Sequence, residues 1–392
     1  MPTTQNINQS KTFLFTSESV SAGHPDKVCD FVSDSILDAH LTQDPNSKVA
    51  IDCCVKGDTI YVVGELTSTA VVNISAVVRQ AICSIGYDKS EACFDGNTCN
   101  IVLNISEQSP EINKAVFKDN YDIGAGDQGI MFGYACNQTK ELMPLPIILA
   151  HKLAYLITNQ TDNKVNNKTA HKFGPDAKTQ ITVEYNSDQT IKRIDTILVS
   201  TQHPANYTQD QIQHIIQDII YGEFVPQNNL EQYIDTTTKL IINPSGSFIV
   251  GGPVADSGLT GRKIIVDGYG GWGRVGGGAF SGKDSSKVDR SGAYMARFLA
   301  KNIVAKGWAN NCEIQISYAI GVAKPTSISL FGDLIMEEQE ILSWINTNFD
   351  LRPKAIIDFL NLRQPIFAIT SQYGHFGRDY DGTNFTWERI LD

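Results

Sequence analysis

The stretch from Gly268 to Asp289 constrains the fold more than any other part of the chain. Seven of its first eleven residues are glycine, a density that a packed core does not tolerate. The apolar run Lys263–Asp267 before it predicts a buried strand. The apolar spacing after Val288 predicts a helix that stops at Gly307. A glycine-rich loop between a strand and a helix can present backbone N–H groups to an anion.

The charged residues of this loop are those that a polyphosphate and its metal ion require. Lys283 and Lys287 supply cations, and Asp284 and Asp289 supply carboxylates suited to Mg²⁺. The run 277–283 matches G-x-x-x-x-G-K, but Asp284 stands where the Walker P-loop needs a Ser or Thr hydroxyl. The loop is therefore predicted to bind phosphate without being a P-loop. A flexible surface loop is the alternative.

The composition excludes several classes of protein. A chain of 392 residues is long enough for two or three domains. Its net charge of −11 argues against a nucleic-acid partner. No apolar run reaches the ~20 residues of a membrane span. The first residues are polar and the eight cysteines form no C-x-x-C pair, so we expect a cytoplasmic protein with reduced thiols.

The order of the apolar patterns indicates an α+β fold. Strands occur in pairs, interrupted by single helices, which favours helices on one face of antiparallel or mixed sheets. The runs 49–55 and 59–67 predict paired strands, and their alternation could point Asp52 and Glu65 to one side. A helix beginning at Pro25 would place His24 and Asp26 at its N-terminus, where the helix dipole attracts anions. A plain capping cluster explains these residues equally well.

A second glycine motif, GAGDQG at 124–129, matches the dinucleotide fingerprint G-x-G-x-x-G. That fingerprint requires a strand before it and a helix after it. Here a polar segment, 106–123, precedes the motif and a strand pattern follows it, so NAD or FAD binding is not expected. The polar segment is a candidate lid, and the motif is expected to present Asp127 in a tight loop.

Five segments of the chain together resemble the signature segments of the S-adenosylmethionine synthetase family. They are GHPDK at 23–27, GAGDQG at 124–129, PDAK at 175–178, GLTGRKIIVD at 258–267 and GGGAFSGKDSSKVDRS at 276–291. They occur in the family's order and spacing, and the similarity covers nearly the whole chain after about residue 12. Five matched segments are far more specific than any single motif.

The resemblance implies methionine adenosyltransferase chemistry, with ATP and L-methionine as substrates. The methionine sulfur attacks C5′ of ATP and displaces triphosphate, which is then cleaved to phosphate and pyrophosphate. Preset cations lower the barrier because the leaving group carries several negative charges. The sulfur is already a good nucleophile, so no general base is needed and the remaining task is positioning.

The resemblance also implies roles for individual residues. The catalytic set is His24, Lys178, Arg262, Lys263, Lys283 and Lys287. The ATP-binding set is His24, Asp176, Ala177, Lys178, Ser247, Phe248, Asp256, Arg262, Lys263, Ala279 and Lys283, with Phe248 stacking on adenine. The methionine-binding set is Glu65, Gln108, Asp127, Asp256 and Lys287. Two Mg²⁺ ions per site would use Asp26 and Asp289, and K⁺ would use Asp52.

The family architecture implies three similar α+β subdomains, each a mixed or antiparallel sheet with helices on one face. On this chain the expected domains are 12–110, 124–240 and 241–385, the last containing the glycine-rich loop, with a gating loop at 107–123. A homodimer or homotetramer with active sites at the dimer interface is implied. We expect no nucleic-acid or membrane partner.

Five positions depart from the family pattern. Asp52 replaces a Glu that binds K⁺ and is one methylene shorter, Ser247 and Gly174 replace Arg, Val275 replaces His, and Ala22 replaces Glu. The principal phosphate and metal residues remain, so we predict an active enzyme with an altered affinity or potassium response. The alternative is a catalytically weak ATP-binding regulatory subunit of the same fold. A kinase is disfavoured because the Walker hydroxyl is missing.

Overall fold

The computed structural model describes residues 12–88, 94–107, 117–119, 122–159 and 173–391. The strands are β1 (Thr12–Val20), β2 (Lys48–Lys56), β3 (Thr59–Thr67), β4 (Asn100–Ser106), β5 (Phe117–Asp119), β6 (Asp122–Ile123), β7 (Gly129–Cys136), β8 (Ala177–Asn186), β9 (Ile191–Thr201), β10 (Lys239–Ile242), β11 (Gly258–Leu259), β12 (Ala309–Tyr318) and β13 (Ser327–Leu334). The longer helices are α1 (Pro25–Gln43), α2 (Ile74–Ser84), α3 (Leu145–Thr158), α4 (Gln209–Ile219), α5 (Val288–Ala305), α6 (Glu338–Asn348) and α7 (Pro353–Phe359).

The strands form three main sheets within these ranges. Their orders are β1-β8-β9-β10, β11-β2-β3-β4 and β13-β12-β7, and β5 pairs separately with β6. Antiparallel pairs predominate, but β10 runs parallel to β9 and β4 parallel to β3. Helices pack on these mixed sheets, so the predicted α+β class with three sheet-and-helix units is confirmed.

Each main sheet takes one strand from a distant part of the sequence. β1 pairs along its whole length with β8, so Thr12 lies opposite Asn186 and Val20 opposite Lys178. β7 pairs with β12, and the short β11 pairs with β2. The three sheets are therefore interlocked along the chain, and the domain boundaries set out above stay predictions.

The helix after the glycine-rich stretch is the one predicted. α5 begins at Val288 and ends near Gly307, which adopts a positive φ of 71°. α5 packs against β7 at Gly133, where a Cβ would lie 2.0 Å from the carbonyl carbon of Ala296. Only glycine permits this close approach of helix and sheet.

The predicted strand over Lys263–Asp267 is wrong. Residues Ile264–Asp267 form a single helical turn, and Val266 and Asp267 are buried. A short apolar run does not distinguish a strand from a buried helical turn. Here the turn brings the Asp267 carboxylate to Lys27 of α1, with an Nζ–Oδ1 distance of 2.5 Å.

Candidate active site

His24 caps the N-terminus of α1. Its Nδ1 accepts a hydrogen bond from the Asp26 backbone N–H at 3.2 Å, which leaves the ring proton on Nε2. Burial, reinforced by the charges of Lys263 and Lys178, lowers the pKa of His24 to about 3. His24 is therefore a neutral imidazole that can donate from Nε2 at the positive end of a helix.

Asp26 forms ion pairs with two basic side chains of the segment before the glycine-rich stretch. Its Oδ2 lies 2.6 Å from the Lys263 Nζ, its Oδ1 lies 3.6 Å from the Arg262 Nε, and the Leu259 N–H donates to Oδ1 at 3.0 Å. Burial alone would raise the pKa of Asp26, but hydrogen bonds from Lys263 and Leu259 hold it below its usual value. We call His24, Asp26, Arg262 and Lys263 the Asp26 cluster.

The segment before β8 joins this cluster. The Ala177 N–H donates to the Ser21 Oγ at 2.8 Å, which ties the entrance of β8 to the turn before α1. The Oδ2 of Asp176 accepts from the Gly252 N–H at 2.8 Å, whereas its buried Oδ1 has no partner among the described residues. Burial raises the pKa of Asp176 to about 6. The charge of Lys178 acts on both Asp176 and His24.

Lys283 forms a second group of charges at the end of the glycine-rich loop. Its Nζ lies 2.6 Å from the Asp289 Oδ2, and its backbone forms an antiparallel bridge with Ala50 of β2. Asp52 and Glu65 lie on the same face of the β2–β3 pair, as predicted, since Asp52 is opposite Val63. Loss of hydration raises the pKa of Asp52, and the Lys283 charge opposes this rise. We call Asp52, Glu65, Lys283 and Asp289 the Lys283 cluster.

Asp284 anchors the same loop from inside the protein. Its buried carboxylate accepts from the Val49 N–H at 2.8 Å and pairs with the Lys287 ammonium. Burial would raise its pKa, but the charges of Lys287 and Lys48 outweigh burial and lower the pKa to about 2. Asp284 therefore positions Lys287 and fastens the loop to β2.

The two clusters are connected through the loops that carry them. A Cβ on Gly261 would lie 2.4 Å from the Cβ of Ala279, so the 258–263 segment touches the glycine-rich loop. A Cβ on Gly126 would lie 3.5 Å from the Ser286 carbonyl oxygen, so the GAGDQG segment also approaches that loop. The Asp127 Oδ1 accepts a hydrogen bond from the N–H of the next residue, Gln128, at 2.7 Å. Asp256 interacts electrostatically with His24.

His203 forms hydrogen bonds with both the N–H and the carbonyl of Phe248. The His203 N–H donates to the Phe248 carbonyl, and the Phe248 N–H donates to the His203 Nε2, both at 2.9 Å. Ser247 beside it is exposed. Gln108 and most of the gating loop 107–123 lie outside the described residues, so their predicted roles stay predictions.

Two of the other departures have a visible packing context. A Cβ on Gly174 would lie 2.4 Å from the Gln202 Oε1, so a larger residue there requires Gln202 to move. The Cγ1 of Val275 would lie 2.7 Å from a Cβ on Gly268 and so fills space inside the glycine-rich stretch. The structure gives no specific reason for Ala22.

Sequence reasoning missed the buried ion pairs beneath the site. Lys27 binds Asp30 at 2.9 Å, and the Arg290 guanidinium binds both oxygens of Asp34 at 2.7 and 2.9 Å. Lys27, Asp30 and Asp34 recur at i, i+3 and i+7, which predicts one face of α1. A charged stripe of this kind normally indicates a solvated face, whereas here it is covered by the loops of the site. Arg290, which binds Asp34, and Asp267, which also binds Lys27, come from distant parts of the sequence.

Three family models match the chain, and together they cover most of it. The S-adenosylmethionine synthetase N-terminal domain matches residues 12–110, the central domain matches 122–248 and the C-terminal domain matches 250–389. Across the described ranges, no helix is both long and apolar enough to pass through a bilayer. The signature segments meet around the two charged clusters, and the domain models match in the expected order. The chain therefore belongs to the S-adenosylmethionine synthetase family.

Proposed function

We propose that this protein makes S-adenosylmethionine from ATP and L-methionine. A lone pair of the methionine sulfur forms the new bond to C5′ of ATP. The C5′–O5′ bond breaks, and the triphosphate leaves with the electron pair. Water then cleaves the triphosphate to phosphate and pyrophosphate. The observation that carries this proposal is the pair of lysine–carboxylate clusters, carried by the 258–263 segment and the glycine-rich loop that touches it, in a chain of this family.

His24 has the form required of a group that receives a departing oxyanion. It is neutral, its Nδ1 is occupied, and its remaining N–H stands at the N-terminus of α1. In this proposal the Nε2–H donates to the oxygen that gains charge as the C5′–O5′ bond breaks. A donor fixed in place stabilises that charge without reorganising during the reaction.

The lysines are held in position by carboxylates before any phosphate arrives. The ammonium of Lys263 pairs with Asp26, that of Lys283 pairs with Asp289, and that of Lys287 pairs with Asp284. Such pairing restricts long flexible side chains, so less entropy is lost when they bind phosphate oxygens. Lys178 and Arg262 are expected to complete the set of phosphate-binding cations.

The donor set around the loop fits Mg²⁺ that arrives with a polyphosphate. Among the described residues, no group of three or more His, Cys, Asp or Glu side chains could hold a metal ion alone. Asp26 and Asp289 each offer one carboxylate, and Mg²⁺ usually takes one or two carboxylates plus substrate phosphates. In this proposal Asp26 and Asp289 hold the ions, which neutralise phosphate charge when bound.

Potassium binding at Asp52 is a separate proposal. Asp52 has Glu65 nearby on the same sheet face, so oxygen donors for a monovalent cation are present, but the Lys283 charge acts on the same carboxylate. We expect K⁺ to raise activity more than Na⁺ does. Equal rates in the two salts would remove Asp52 from the list of metal ligands.

We also propose self-association through the outer face of the β11-β2-β3-β4 sheet. Tyr61, Val63, Val102 and Leu259 share this face, and each is between 38% and 46% exposed. A contiguous apolar face of this kind is typical of a protein–protein interface. Asp52 and Glu65 lie on the same face, so a homodimer or homotetramer formed there would bring site residues to its interface.

We also propose that the protein works in the cytoplasm. Seven cysteines lie in the described ranges, and all of them are free thiols. A reducing compartment maintains this state.

The direct test is incubation with ATP, methionine, Mg²⁺ and K⁺, followed by chromatography for S-adenosylmethionine and by phosphate and pyrophosphate assays. We expect product that requires both substrates. ATP binding without product would instead support the regulatory subunit. Phosphate release without methionine would indicate an ATPase.

A pair of lysine variants tests the site itself. Lys283→Met removes a cation beside Asp289 and is expected to lower kcat by about 100-fold or more. Lys239→Met is the matched control, because Lys239 is largely exposed on β10 and lies outside the site. Its ion pair with Asp195 has an Nζ–Oδ2 distance of 3.5 Å. Near-normal turnover by folded Lys283→Met would exclude Lys283 from phosphate binding.

A further inference from the structure

A cavity of about 420 Å³ lies between α3, the turn after α4 and the aromatic C-terminal segment 373–379. Its volume is in the range of small-molecule sites in proteins. None of the residues assigned above to ATP, methionine or metal lines it. It therefore calls for an explanation separate from the reaction.

One wall of the cavity carries an arginine with an available edge. The Arg378 Nη1 donates to the Gln372 carbonyl at 2.8 Å and to the Gly374 carbonyl at 3.4 Å, and Phe385 lies 4.6 Å from the guanidinium carbon. Nε and Nη2 make no hydrogen bond, and Arg378 makes no ion pair, within the described part of the chain. Burial lowers the pKa of Arg378. A guanidinium edge held this way matches the two oxygens of a carboxylate.

A buried histidine lies behind this wall of the cavity. The His151 Nδ1 lies 2.8 Å from the Ser19 Oγ, whereas its buried Nε2 has no partner among the described residues. A Cβ on Gly374 would lie 2.5 Å from this Nε2, so Gly374 covers the ring nitrogen and separates it from the cavity. Burial lowers the pKa of His151 to about 3, so the ring is neutral.

The remaining charges favour an anion over a cation. Glu141 is paired with Lys152 at 2.8 Å, Lys140 stands exposed at the rim, and the exposed Asp379 acts on the Arg378 charge. The three cationic lining residues, Lys140, Lys152 and Arg378, therefore outnumber the two carboxylates by one. Gln227 and Asn228 add polar groups to the lining, and its accessible aromatic surface comes from Tyr155, which is 55% exposed, and Tyr373. A ligand must therefore present a negative group to Arg378 and an apolar body to these side chains.

We propose that this cavity binds a small organic carboxylate with an aromatic or branched apolar body. The carboxylate accepts hydrogen bonds from the free edge of Arg378, and the apolar body lies against Tyr155 and Tyr373.

The test uses naphthalene-2-carboxylate as the probe and isothermal titration as the measurement. The matched neutral probe is naphthalene-2-carboxamide, which has the same rings without the charge. We expect the acid to bind the wild-type chain about tenfold more tightly than the amide, because a charge-assisted bidentate pair is lost. Equal affinities, or no binding of the acid, would overturn the proposal.

Variants place the binding at the cavity. Arg378→Gln is expected to weaken binding of the acid by about tenfold, and Arg363→Gln, at an exposed pair with Asp358, is expected to leave it unchanged. If Arg378→Gln does not fold, Lys140→Glu at the exposed rim should still weaken binding. Loss of binding in Lys283→Met would assign the probe to the glycine-rich loop and refute the cavity. Unchanged binding in both cavity variants would refute it as well.

Discussion

The buried pair between Asp34 and Arg290 allows a sharp test of how the glycine-rich loop is held. Both side chains are fully buried. Asp34 also accepts from the Gly282 N–H at 2.8 Å, and Arg290 donates to the Lys283 carbonyl at 3.2 Å. Asp34→Asn keeps the shape and an acceptor for Gly282 but leaves the Arg290 charge without its counter-ion.

The expected loss of stability follows from that uncompensated charge. Removing one partner of a buried pair costs about 3–5 kcal/mol. For 392 residues unfolding together, that loss lowers the Tm by roughly 4–6 °C. Arg290→Met should cost as much, because it leaves the Asp34 carboxylate alone. The double variant buries no charge, so its loss should be clearly smaller than the sum of the two.

Differential scanning calorimetry of the three variants measures these shifts. Asp358→Asn is the control, because Asp358 is 46% exposed and pairs with Lys354 on the surface of α7. Such a pair is worth about 1 kcal/mol or less, so the Tm should change by about 1 °C. The pair does not support the loop as described if Asp34→Asn has the same Tm as Asp358→Asn. The same conclusion follows if the stability loss of the double variant equals the sum of the two single losses.

Three further predictions concern stability. The pKa of Asp284 is lowered to about 2, which contributes about 2 kcal/mol to the free energy of unfolding above pH 4. This contribution is lost as the pH falls toward about 2. Acid titration monitored by circular dichroism should therefore show that the stability of Asp284→Asn changes less than that of the wild type between about pH 4 and 2. Burial raises the pKa of Asp38 to about 7, so wild-type stability should fall by about 4 kcal/mol relative to Asp38→Asn between pH 4 and 8; a constant difference in Tm would contradict this. Gly133→Ala places a Cβ against the backbone of Ala296 and should cost more than about 3 kcal/mol in thermal unfolding, whereas Gly222→Ala, with open space at its Cβ, should be close to neutral.

Local patterns predicted the elements whose cause is local. β2 and β3 are joined by a short turn and paired as expected, and α5 ended at a glycine with positive φ. The turn at Ile264–Asp267 was mispredicted because its conformation depends on contacts made far along the chain. Lys27, which binds Asp267, lies 240 residues earlier, and no periodicity within five residues contains that information.

The site residues also divide into those that local sequence predicts and those that depend on distant contacts. Residues such as His24, Lys263 and Lys283 were predicted to be site residues because their segments carry a family signature, and in the structure they lie in two charged clusters. The residues that hold Phe248 and Lys283 in place, His203 and Arg290, were not predicted. His203 binds the backbone of Phe248, and Arg290 binds Asp34 and the Lys283 carbonyl. Contacts between positions so far apart leave no periodic pattern in one sequence.

The interlocked sheets also fix when the protein can fold during its synthesis on the ribosome. β1 leaves the ribosome early, but its partner β8 ends only at Asn186. At about 5–20 residues per second, β1 therefore waits roughly 10–30 s with its edge unpaired. β7 waits in the same way for β12, which ends at Tyr318. Unpaired strand edges recruit other chains, so nascent chains of this protein are expected to depend on chaperones that cover such edges until the last sheet closes.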